Sequence, residues 1–316
     1  MQLAIQANDV RAAADRIRPL ARRTPVLRSA DFDAESRTRV FFKCENLQVG
    51  GAFKIRGAAN LILSLPEAEL ARGVVAYSSG NHAQATAIAA RHVGTEATIV
   101  MPEDAPRSKT EATRAHGARI ITYDRFRDSR EQIASQIQKE TGATLVPPFD
   151  HPMIMAGQGT AALELLAETG PLDALVTPVG GGGLLSGCAT IGKDLDPALR
   201  VFGVEPEGAN DAFLSLHAGE RVSVNPDTIA DGLRSPMPGA LTFPVLQRLV
   251  ERIALVTDDE IRATVKFLLL RLKILVEPSG AAAAAAVLFR KLPPEIGSVG
   301  VVLSGGNIDF EDLARY

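Results

Sequence analysis

Four consecutive glycines, Gly180, Gly181, Gly182 and Gly183, form the segment of this chain whose spacing most directly indicates chemistry. They follow an apolar run and precede a helical pattern that begins near Leu184. Glycine lets the backbone come close to a ligand, and N–H groups at the start of a helix attract anions. Such a run is costly to order without a ligand. It therefore predicts a phosphate-binding loop, with a flexible turn as the alternative.

The glycine run departs from two familiar nucleotide-binding loops. A Walker loop requires a lysine after Gly187, where this chain has Cys188. A dinucleotide fingerprint requires glycine or alanine where this chain has Leu185 or Ser186. Glu205, however, ends the next predicted strand, where a ribose-binding acid is expected. A nucleotide- or NAD-binding α/β protein therefore stays open as an alternative from another class.

Lys54 is the candidate nucleophile. It lies between Phe53 and Ile55 at the predicted start of a helix. Burial beside apolar side chains and the positive end of a helix both favour the neutral amine, which a Schiff-base lysine must supply. The alternative is an ordinary solvated lysine, which is the commoner case.

A polar corner follows the second predicted strand. It contains Ser78, Ser79, Gly80, Asn81 and His82, and the next helical pattern begins within it. Backbone N–H groups at such a corner can bind a carboxylate, and the side chains can contact ring substituents. The alternative is helix capping by a serine or by the asparagine.

Elements of two kinds must position these groups, because short β-branched runs alternate with helical patterns along most of the chain. This alternation is typical of units that build a parallel sheet. The predicted strands cover residues 40–44, 74–77, 97–101, 119–122, 174–178, 201–204 and 299–303. The predicted helices cover residues 81–93, 109–116, 129–140, 153–168, 258–272 and 279–289. We predict an α/β fold in which a small domain, residues 73–149, is inserted into a large one formed by residues 1–72 and 150–316.

Composition excludes several classes of function. The 316 residues carry a formal net charge of -3, which provides no bulk attraction to nucleic acid or to an anionic membrane. The sequence shows neither an export signal nor a membrane span. Cys44 and Cys188 lack the spacing of a zinc site or a disulfide scaffold, which favours a reducing cytoplasm. We therefore expect a small-molecule partner.

The ordered motifs resemble the fold-type II pyridoxal-phosphate enzymes, and within them the serine/threonine dehydratase and serine racemase family. The resemblance covers nearly the whole chain. Its motifs begin at Lys43, Gly51, Ser78, Ala156, Gly180, Ile229, Glu277 and Ser304. It implies a tryptophan synthase β-like fold, in which two open, twisted, mostly parallel sheets hold the cofactor between them. Family members form homodimers, so we expect one here.

The resemblance also implies how the cofactor, pyridoxal 5'-phosphate, is held. The implied contacts are Phe53, Lys54, Asn81, Gly180, Gly181, Gly182, Gly183, Leu184 and Ser304. Lys54 would bind the cofactor covalently, Asn81 would bond its ring hydroxyl, and Ser304 would face the pyridine nitrogen. A neutral hydroxyl at that nitrogen weakens the ring as an electron sink and favours prompt elimination.

The implied activity is deamination of a β-hydroxy amino acid, either L-serine, L-threonine or L-threo-3-hydroxyaspartate, to a 2-oxo acid and ammonia. The polar corner from Ser78 to His82 would bind the substrate carboxylate. Ser79 matches the second acid/base of serine racemases, so racemisation is expected as a further activity, and a dedicated racemase is the alternative. Arg130 matches an arginine that can pair with a second substrate carboxylate.

A divalent cation is implied as well. Glu205, Asp211 and the backbone carbonyl of Ala209 match the metal loop of racemase-like family members. Carboxylate and carbonyl oxygens are ligands suited to Mg²⁺, Ca²⁺ or Mn²⁺. Spacing alone would not distinguish this group from acids solvated in a surface loop.

Overall fold

Two β-sheets organise the protein, whose computed structural model describes residues 3–105 and 107–314. The strands are β1 (Val26–Leu27), β2 (Arg39–Cys44), β3 (Val74–Tyr77), β4 (Ala97–Pro102), β5 (Arg119–Tyr123), β6 (Thr144–Leu145), β7 (Ala174–Pro178), β8 (Arg200–Pro206), β9 (Arg252–Val256) and β10 (Ser298–Leu303). The larger sheet has the order β1-β2-β10-β7-β8-β9, and only β1 is antiparallel to its neighbour. The smaller sheet, β5-β4-β3-β6, is wholly parallel.

Helices connect and cover these strands. They are α1 (Ala7–Ile17), α2 (Ala30–Ser36), α3 (Lys54–Ile62), α4 (Glu67–Leu70), α5 (Asn81–Val93), α6 (Arg107–Ala115), α7 (Arg130–Thr141), α8 (Pro152–Thr169), α9 (Gly183–Leu195), α10 (Asp211–Ala218), α11 (Phe243–Leu249), α12 (Asp258–Phe267), α13 (Pro278–Leu288) and α14 (Phe310–Leu313). The predicted α/β architecture with parallel sheets is confirmed. The predicted domain boundaries after residues 72 and 149 stay a prediction.

Strands β1, β6 and β9 are not among the predicted strands, and one predicted helix changes its form. β9 was not expected, because its apolar residues pass directly into α12 without an intervening turn signal. The helix predicted over residues 258–272 is α-helical only to Phe267 and continues as a wider π-helical turn, Leu268–Leu272. Lys273 ends that turn in the left-handed region, with φ of 60°. The chain therefore turns away before it reaches α13.

Close helix packing fixes the glycine loop in the fold. A Cβ atom at Gly187 would lie 2.1 Å from the carbonyl oxygen of Met155, so only glycine allows α9 to approach α8 this closely. The alanines at residues 281–286 of α13 are fully buried. Small side chains thus let helices lie tightly against the larger sheet.

The carboxyl ends of the parallel strands meet at one edge of each sheet, where ligands bind in open α/β folds. β7 leads into Gly180, β10 into Ser304 and β3 into Ser78. In the part of the chain that the structure describes, no helix combines the length and apolarity needed to cross a bilayer.

Candidate functional site

Three helices begin at the site without a side chain to cap them. The residues preceding α3, α5 and α9 are Phe53, Gly80 and Gly182, and none of them caps its helix through a side-chain hydrogen bond. Helices α7 and α12, by contrast, are capped by Ser129 and Thr257. The alternative in which a serine or asparagine caps α5 is therefore wrong. Uncapped N–H groups favour an anionic ligand.

The glycine loop supplies unpaired backbone donors. Within residues 3–105 and 107–314, the N–H groups of Gly180, Gly181, Gly182 and Gly183 donate no hydrogen bond to another protein group. All but the first of these residues are buried. Buried N–H groups without a partner are rare, because each costs free energy comparable to a lost hydrogen bond. The loop is therefore suited to an anion, as the sequence predicted.

Phe149 explains part of the glycine requirement on its own. A Cβ atom at Gly181 would lie 2.3 Å from the Phe149 ring, and one at Gly183 would lie 3.0 Å from the Phe149 Cβ. Gly182 has φ of +93°, which side-chain-bearing residues rarely adopt. The loop is thus ordered by packing and by backbone conformation, so the flexible turn is not what the chain forms here.

Lys54 lies at the first position of α3, half-buried. Its Nζ atom donates a hydrogen bond to the carbonyl oxygen of Pro148 at 2.8 Å and lies 5.1 Å from the centre of the Phe53 ring. Burial lowers the pKa of the amine from 10.5 to about 8, although the nearby Glu277 opposes this change. The lysine therefore provides a neutral amine more readily than a solvated one, as expected from its apolar neighbours.

A buried ionic cluster anchors the helix that carries Lys54. The guanidinium of Arg56 donates to Glu45 at 2.7 and 2.8 Å and to Glu164 at 2.7 and 2.8 Å. Lys43 also donates to Glu164, at 2.6 Å. Two cations thus face two anions, so the buried charges compensate one another. The cluster ties α3 to β2 and α8.

The turn after β10 lies against the start of α3. The N–H of Phe53 donates to the carbonyl oxygen of Ser304 at 3.0 Å, and Ser304 is buried. A Cβ atom at Gly305 would lie 2.2 Å from Glu277 Oε1 and 3.1 Å from Asn81 Nδ2. The predicted residues Phe53, Asn81 and Ser304 therefore belong to one site.

Asn81 is held from both ends of its side-chain amide. Its Nδ2 donates to Glu277 Oε1 at 2.6 Å, and its Oδ1 accepts from Asn307 Nδ2 at 2.9 Å. Asn307 also donates to the carbonyl oxygen of Gly50 at 2.7 Å. Burial, with the nearby Asp231 in support, raises the pKa of Glu277 to about 8. The orientation of the Asn81 amide is therefore defined by two partners.

In the polar corner, the His82 side chain is hydrogen-bonded to the protein, whereas the Ser79 side chain is hydrogen-bonded to none of the described residues. His82 Nε2 lies 2.9 Å from the carbonyl oxygen of Val146, so Nε2 carries the hydrogen and Nδ1 is an acceptor. That buried Nδ1 has no partner among the described residues, and burial lowers the pKa of the imidazole to about 3. The N–H of Gly80 donates to Ser78 Oγ at 3.2 Å. The Ser79 hydroxyl makes no hydrogen bond in the described structure.

Arg130 lies near this corner. It begins α7, and its guanidinium carbon lies 5.3 Å from the centre of the Tyr77 ring, one residue before Ser78. Its Nε donates to Glu131 at 2.8 Å, and 41% of the side chain is exposed. The arginine is thus positioned beside the corner by stacking and remains accessible.

Glu205 and Asp211 form a buried acidic pair outside this site. Glu205 accepts the N–H groups of Ala212 and Phe213 at 3.0 and 2.8 Å, which orients its carboxylate. Both oxygens of Asp211 are buried without a partner among the described residues. Burial raises the pKa of Asp211 to about 7. Ala209, two residues before Asp211, is also buried.

Side chains alone do not complete a metal cluster there. No group of three or more His, Cys, Asp or Glu residues suited to a metal occurs in residues 3–105 and 107–314. Two carboxylates and a carbonyl, as the sequence predicted, would require water to complete the coordination of a divalent cation.

Sequence reasoning assigned no role to several residues that the structure brings to the site. They are Pro148, Phe149, Asp150, Thr242, Glu277 and Asn307. Glu277 offered a signal, since it is an acid directly before the small and apolar residues of α13. The acid at the start of a buried helix indicates a partner nearby. The others depend on contacts between distant segments.

Known proteins resemble the chain over its whole described length. A family model described as pyridoxal-phosphate dependent enzyme matches residues 17–305. A serine racemase of Schizosaccharomyces pombe is 46% identical over 310 residues, which cover 98% of this chain and 96% of that protein. An L-threo-3-hydroxyaspartate ammonia-lyase of a Pseudomonas species is 47% identical over 308 residues, 97% of either chain. The solved structure of maize serine racemase matches with a TM-score of 0.95 and 42% identity, covering 99% of this chain and 96% of that one. The chain therefore belongs to the fold-type II family of pyridoxal-phosphate-dependent enzymes.

Proposed function

We propose that the protein is a lyase that uses pyridoxal phosphate to deaminate β-hydroxy amino acids, with serine racemisation as a second activity. Similar proteins named serine racemase and L-threo-3-hydroxyaspartate ammonia-lyase support this proposal. The observation that carries it is that a lysine of lowered pKa and a loop of unpaired N–H groups contact two adjacent residues, Pro148 and Phe149. A covalently bound phosphorylated aldehyde needs both features.

The residues present fit this cofactor. The unpaired N–H groups from Gly180 to Gly183 suit its phosphate, and Leu184 follows them at the start of α9. Lys54 suits its aldehyde, with Phe53 adjacent. Asn81 keeps one amide hydrogen beyond the bond it gives to Glu277, which suits the ring hydroxyl. These assignments, and that of Ser304 to the pyridine nitrogen, are part of the proposal.

The bound cofactor supplies an electron-accepting ring that stabilises negative charge at the substrate Cα. The neutral amine of Lys54 would remove the Cα proton of the substrate. The N–H groups of Ser79, Asn81 and His82 would bind the α-carboxylate, since they donate to no acceptor among the described residues. Those of Ser78 and Gly80 already donate, to the carbonyl oxygen of Val100 and to Ser78 Oγ. His82 stays neutral because of its lowered pKa, so it places no positive charge beside the carboxylate.

The overall reaction balances without a redox partner. The substrate loses its Cα proton and its β-hydroxyl as water. The released enamine takes a proton at Cβ to become an imine, which water hydrolyses to a 2-oxo acid and ammonia. The same conversion applies to L-serine, L-threonine and L-threo-3-hydroxyaspartate.

One experiment tests the cofactor link and the reaction together. Borohydride reduction of the purified protein should fix the cofactor to the peptide that contains Lys54. Release of 2-oxo acid should then be compared among the three substrates. A protein that carries the cofactor on Lys54 but releases no oxo acid from any of them would contradict the proposed reaction.

Racemisation is supported by a separate observation. The Ser79 hydroxyl is half-buried and engaged in no hydrogen bond among the described residues, so it remains available to exchange a proton. A base and an acid on opposite faces of Cα convert one enantiomer into the other. We assign Lys54 to one face and Ser79 to the other.

A second substrate carboxylate would be bound by Arg130. An arginine binds a carboxylate through two parallel hydrogen bonds, which lysine cannot reproduce. Its place over Tyr77 leaves the guanidinium accessible beside the corner. This favours L-threo-3-hydroxyaspartate, which has a carboxylate at Cβ, over L-serine and L-threonine.

A divalent cation, Mg²⁺, Ca²⁺ or Mn²⁺, completes the proposal. Two buried, unpartnered oxygens of Asp211 beside the carboxylate of Glu205 provide strong reason for a cation. The carbonyl of Ala209 would add a third protein ligand. The cation would stabilise the chain segment between β8 and α10.

We further propose a homodimer that works in the cytoplasm. Leu47 and Leu275 are 46% and 40% exposed, and Asn46 Nδ2 donates to the carbonyl oxygen of Leu275, so the two leucines lie on adjoining segments. Exposed apolar side chains of this kind favour contact with a second copy. Cys44 and Cys188 are free and buried, which supports a reducing compartment. Light scattering of the purified protein tests the dimer.

A further inference from the structure

The glycine loop is supported from one side by the segment that precedes α11. The carbonyl oxygen of Gly181 accepts the Thr242 hydroxyl at 2.7 Å and the N–H of Gly239 at 3.2 Å. A Cβ atom at Gly182 would lie 2.8 Å from Thr242 Oγ1, so the contact is close. The segment thus fixes the direction of one loop carbonyl.

A single carboxylate organises this supporting segment. Asp150 accepts the backbone N–H groups of Ala240 at 2.9 Å, Leu241 at 2.8 Å and Thr242 at 3.3 Å. A Cβ atom at Gly239 would lie 2.3 Å from Asp150 Oδ1. Hydrogen bonds to an ionised acceptor are about twice as strong as neutral ones. Asp150 therefore holds the segment in one conformation.

Because the peptide is planar, the direction of the Gly181 carbonyl also sets the direction of the Gly182 N–H. In a trans peptide the carbonyl of one residue and the N–H of the next point in opposite directions. Because the Gly181 carbonyl points to Thr242 and Gly239, the N–H of Gly182 points away from them. That N–H is one of the unpaired donors of the loop. Its direction is thus set by the chain from Asp150 through Thr242 to Gly181.

The residues before Asp150 contact the other half of the site. Pro148 accepts the hydrogen bond of Lys54 Nζ at 2.8 Å, and the Phe149 ring packs on Gly181. Three consecutive residues therefore contact the reactive lysine, the loop and the support of the loop. A displacement of this short segment would move the lysine and the loop together.

We propose that Asp150 is a positioning residue for phosphate binding and that it acts through Thr242 and the Gly181 carbonyl. This inference rests on the proposed function, in which the glycine loop binds the cofactor phosphate. Asp150 itself does not contact the ligand. Its loss should weaken recognition of the phosphate more than recognition of the aldehyde.

The test compares two ligands that differ only in the phosphate. The full-length chain, freed of cofactor, is titrated with pyridoxal 5'-phosphate and with pyridoxal. Asp150→Ala should lower affinity for the phosphorylated ligand by about tenfold or more, the scale of one charge-assisted hydrogen bond, and affinity for pyridoxal by about twofold or less. Asp150→Asn, which keeps one acceptor oxygen, should show a smaller loss.

Two further variants separate positioning from general stability. Thr242→Val removes the hydroxyl that binds Gly181 and should lower the same affinity ratio in a chain that keeps Asp150. Asp173→Ala is the matched control, because Asp173 accepts the N–H groups of Gly297 and Ser298 at the opposite edge of the larger sheet. It should lower the melting temperature while leaving the affinity ratio unchanged.

The outcomes are distinguishable. If the unchanged protein binds both ligands equally, the loop is not a phosphate site and the proposed function fails with the inference. If it prefers the phosphorylated ligand and both Asp150→Ala and Thr242→Val keep that preference undiminished, the inference about Asp150 is overturned and the proposed function stands. Equal losses for both ligands would also overturn the positioning role.

Discussion

The side-chain amide of Asn81 donates a hydrogen bond of 2.6 Å to the carboxyl group of Glu277, which lies 196 residues away in the chain. This contact joins the start of α5, which follows β3 of the smaller sheet, to the residue before α13, which packs against the larger sheet. The pKa of Glu277 is raised to about 8 by burial. The contact therefore gives the protein a pH-dependent element at the site.

Replacement of Glu277 by glutamine should change how stability depends on pH. An unfolded Glu277 loses its proton near pH 4.5, whereas the folded one keeps it to about pH 8, so this group's stabilisation is lost as the pH rises through that window. In the cofactor-free chain, the free energy of unfolding of Glu277→Gln, relative to that of the unchanged protein, should therefore rise by roughly 1 kcal/mol per pH unit between these two pKa values. Thermal unfolding at several pH values measures it, and parallel curves would contradict the raised pKa.

Lys54 should react with the cofactor at an unusually low pH. Only the neutral amine attacks an aldehyde, and the amine has a pKa of about 8 instead of 10.5. The rate of recombination with pyridoxal phosphate should therefore rise about tenfold per pH unit below 8 and then level off. Stopped-flow absorbance measures this rate. A rate that keeps rising to pH 10 would show an ordinary solvated lysine.

Ser79→Ala should separate the two activities. Removal of the hydroxyl eliminates the acid on one face of Cα, while the amine of Lys54 still abstracts the proton from the other. Formation of D-serine from L-serine should fall by roughly 100-fold, the scale of one general acid, while release of oxo acid is largely retained. Chiral chromatography measures the first and ammonia release the second.

The comparison variant is Ser79→Thr, which keeps a hydroxyl and should retain part of the racemisation. Ser64→Ala controls for serine removal elsewhere, since Ser64 donates to the carbonyl of Leu61 at the end of α3. Unchanged D-serine formation in Ser79→Ala would exclude the assigned role.

Arg130→Gln should change substrate preference. Loss of the guanidinium removes the partner of a second carboxylate, so the KM for L-threo-3-hydroxyaspartate should rise about tenfold or more, whereas that for L-serine should change little. Steady-state release of oxo acid measures both. Arg125→Gln is the matched control, because Arg125 pairs with Asp104 on the surface. If Arg130→Gln and Arg125→Gln behave alike, Arg130 does not bind the substrate.

Asp211→Asn should remove the response to divalent cations. The unchanged protein should gain thermal stability with Mg²⁺ or Ca²⁺ and lose it with a chelator, because binding to the folded chain alone stabilises it. The variant should show neither effect, and its cation-free form should be at least as stable, since one uncompensated buried charge is removed. A stabilisation by Mg²⁺ that persists in Asp211→Asn would place the cation elsewhere.

Local sequence patterns were sufficient to single out Lys54 and the glycine loop as candidates, and the structure places both at helix starts. Each combines a reactive or anion-binding group with a helix start in one short segment, so its chemistry is visible without the fold. The strands β3 and β7 were predicted at the residues where the structure has them, because each is a short apolar run before polar or glycine residues.

Long-range partners were beyond such reasoning. Asp150 meets the N–H of Thr242, 92 residues further along, and nothing near Asp150 in the sequence indicates it. Asn307 likewise reaches Asn81 across 226 residues. These contacts depend on how two sheets and their connections are arranged, which local preference does not determine.

The strand β10 lies between β2 and β7, so residues from the last part of the chain occupy the centre of the larger sheet. Until β10 is inserted, β2 and β7 have no shared neighbour, and Ser304 and Asn307 are absent from the site. On the ribosome, the nascent protein therefore cannot assemble its catalytic pocket before synthesis has passed these residues. A message truncated before β10 would yield a chain that lacks the strand between β2 and β7 and both of these residues.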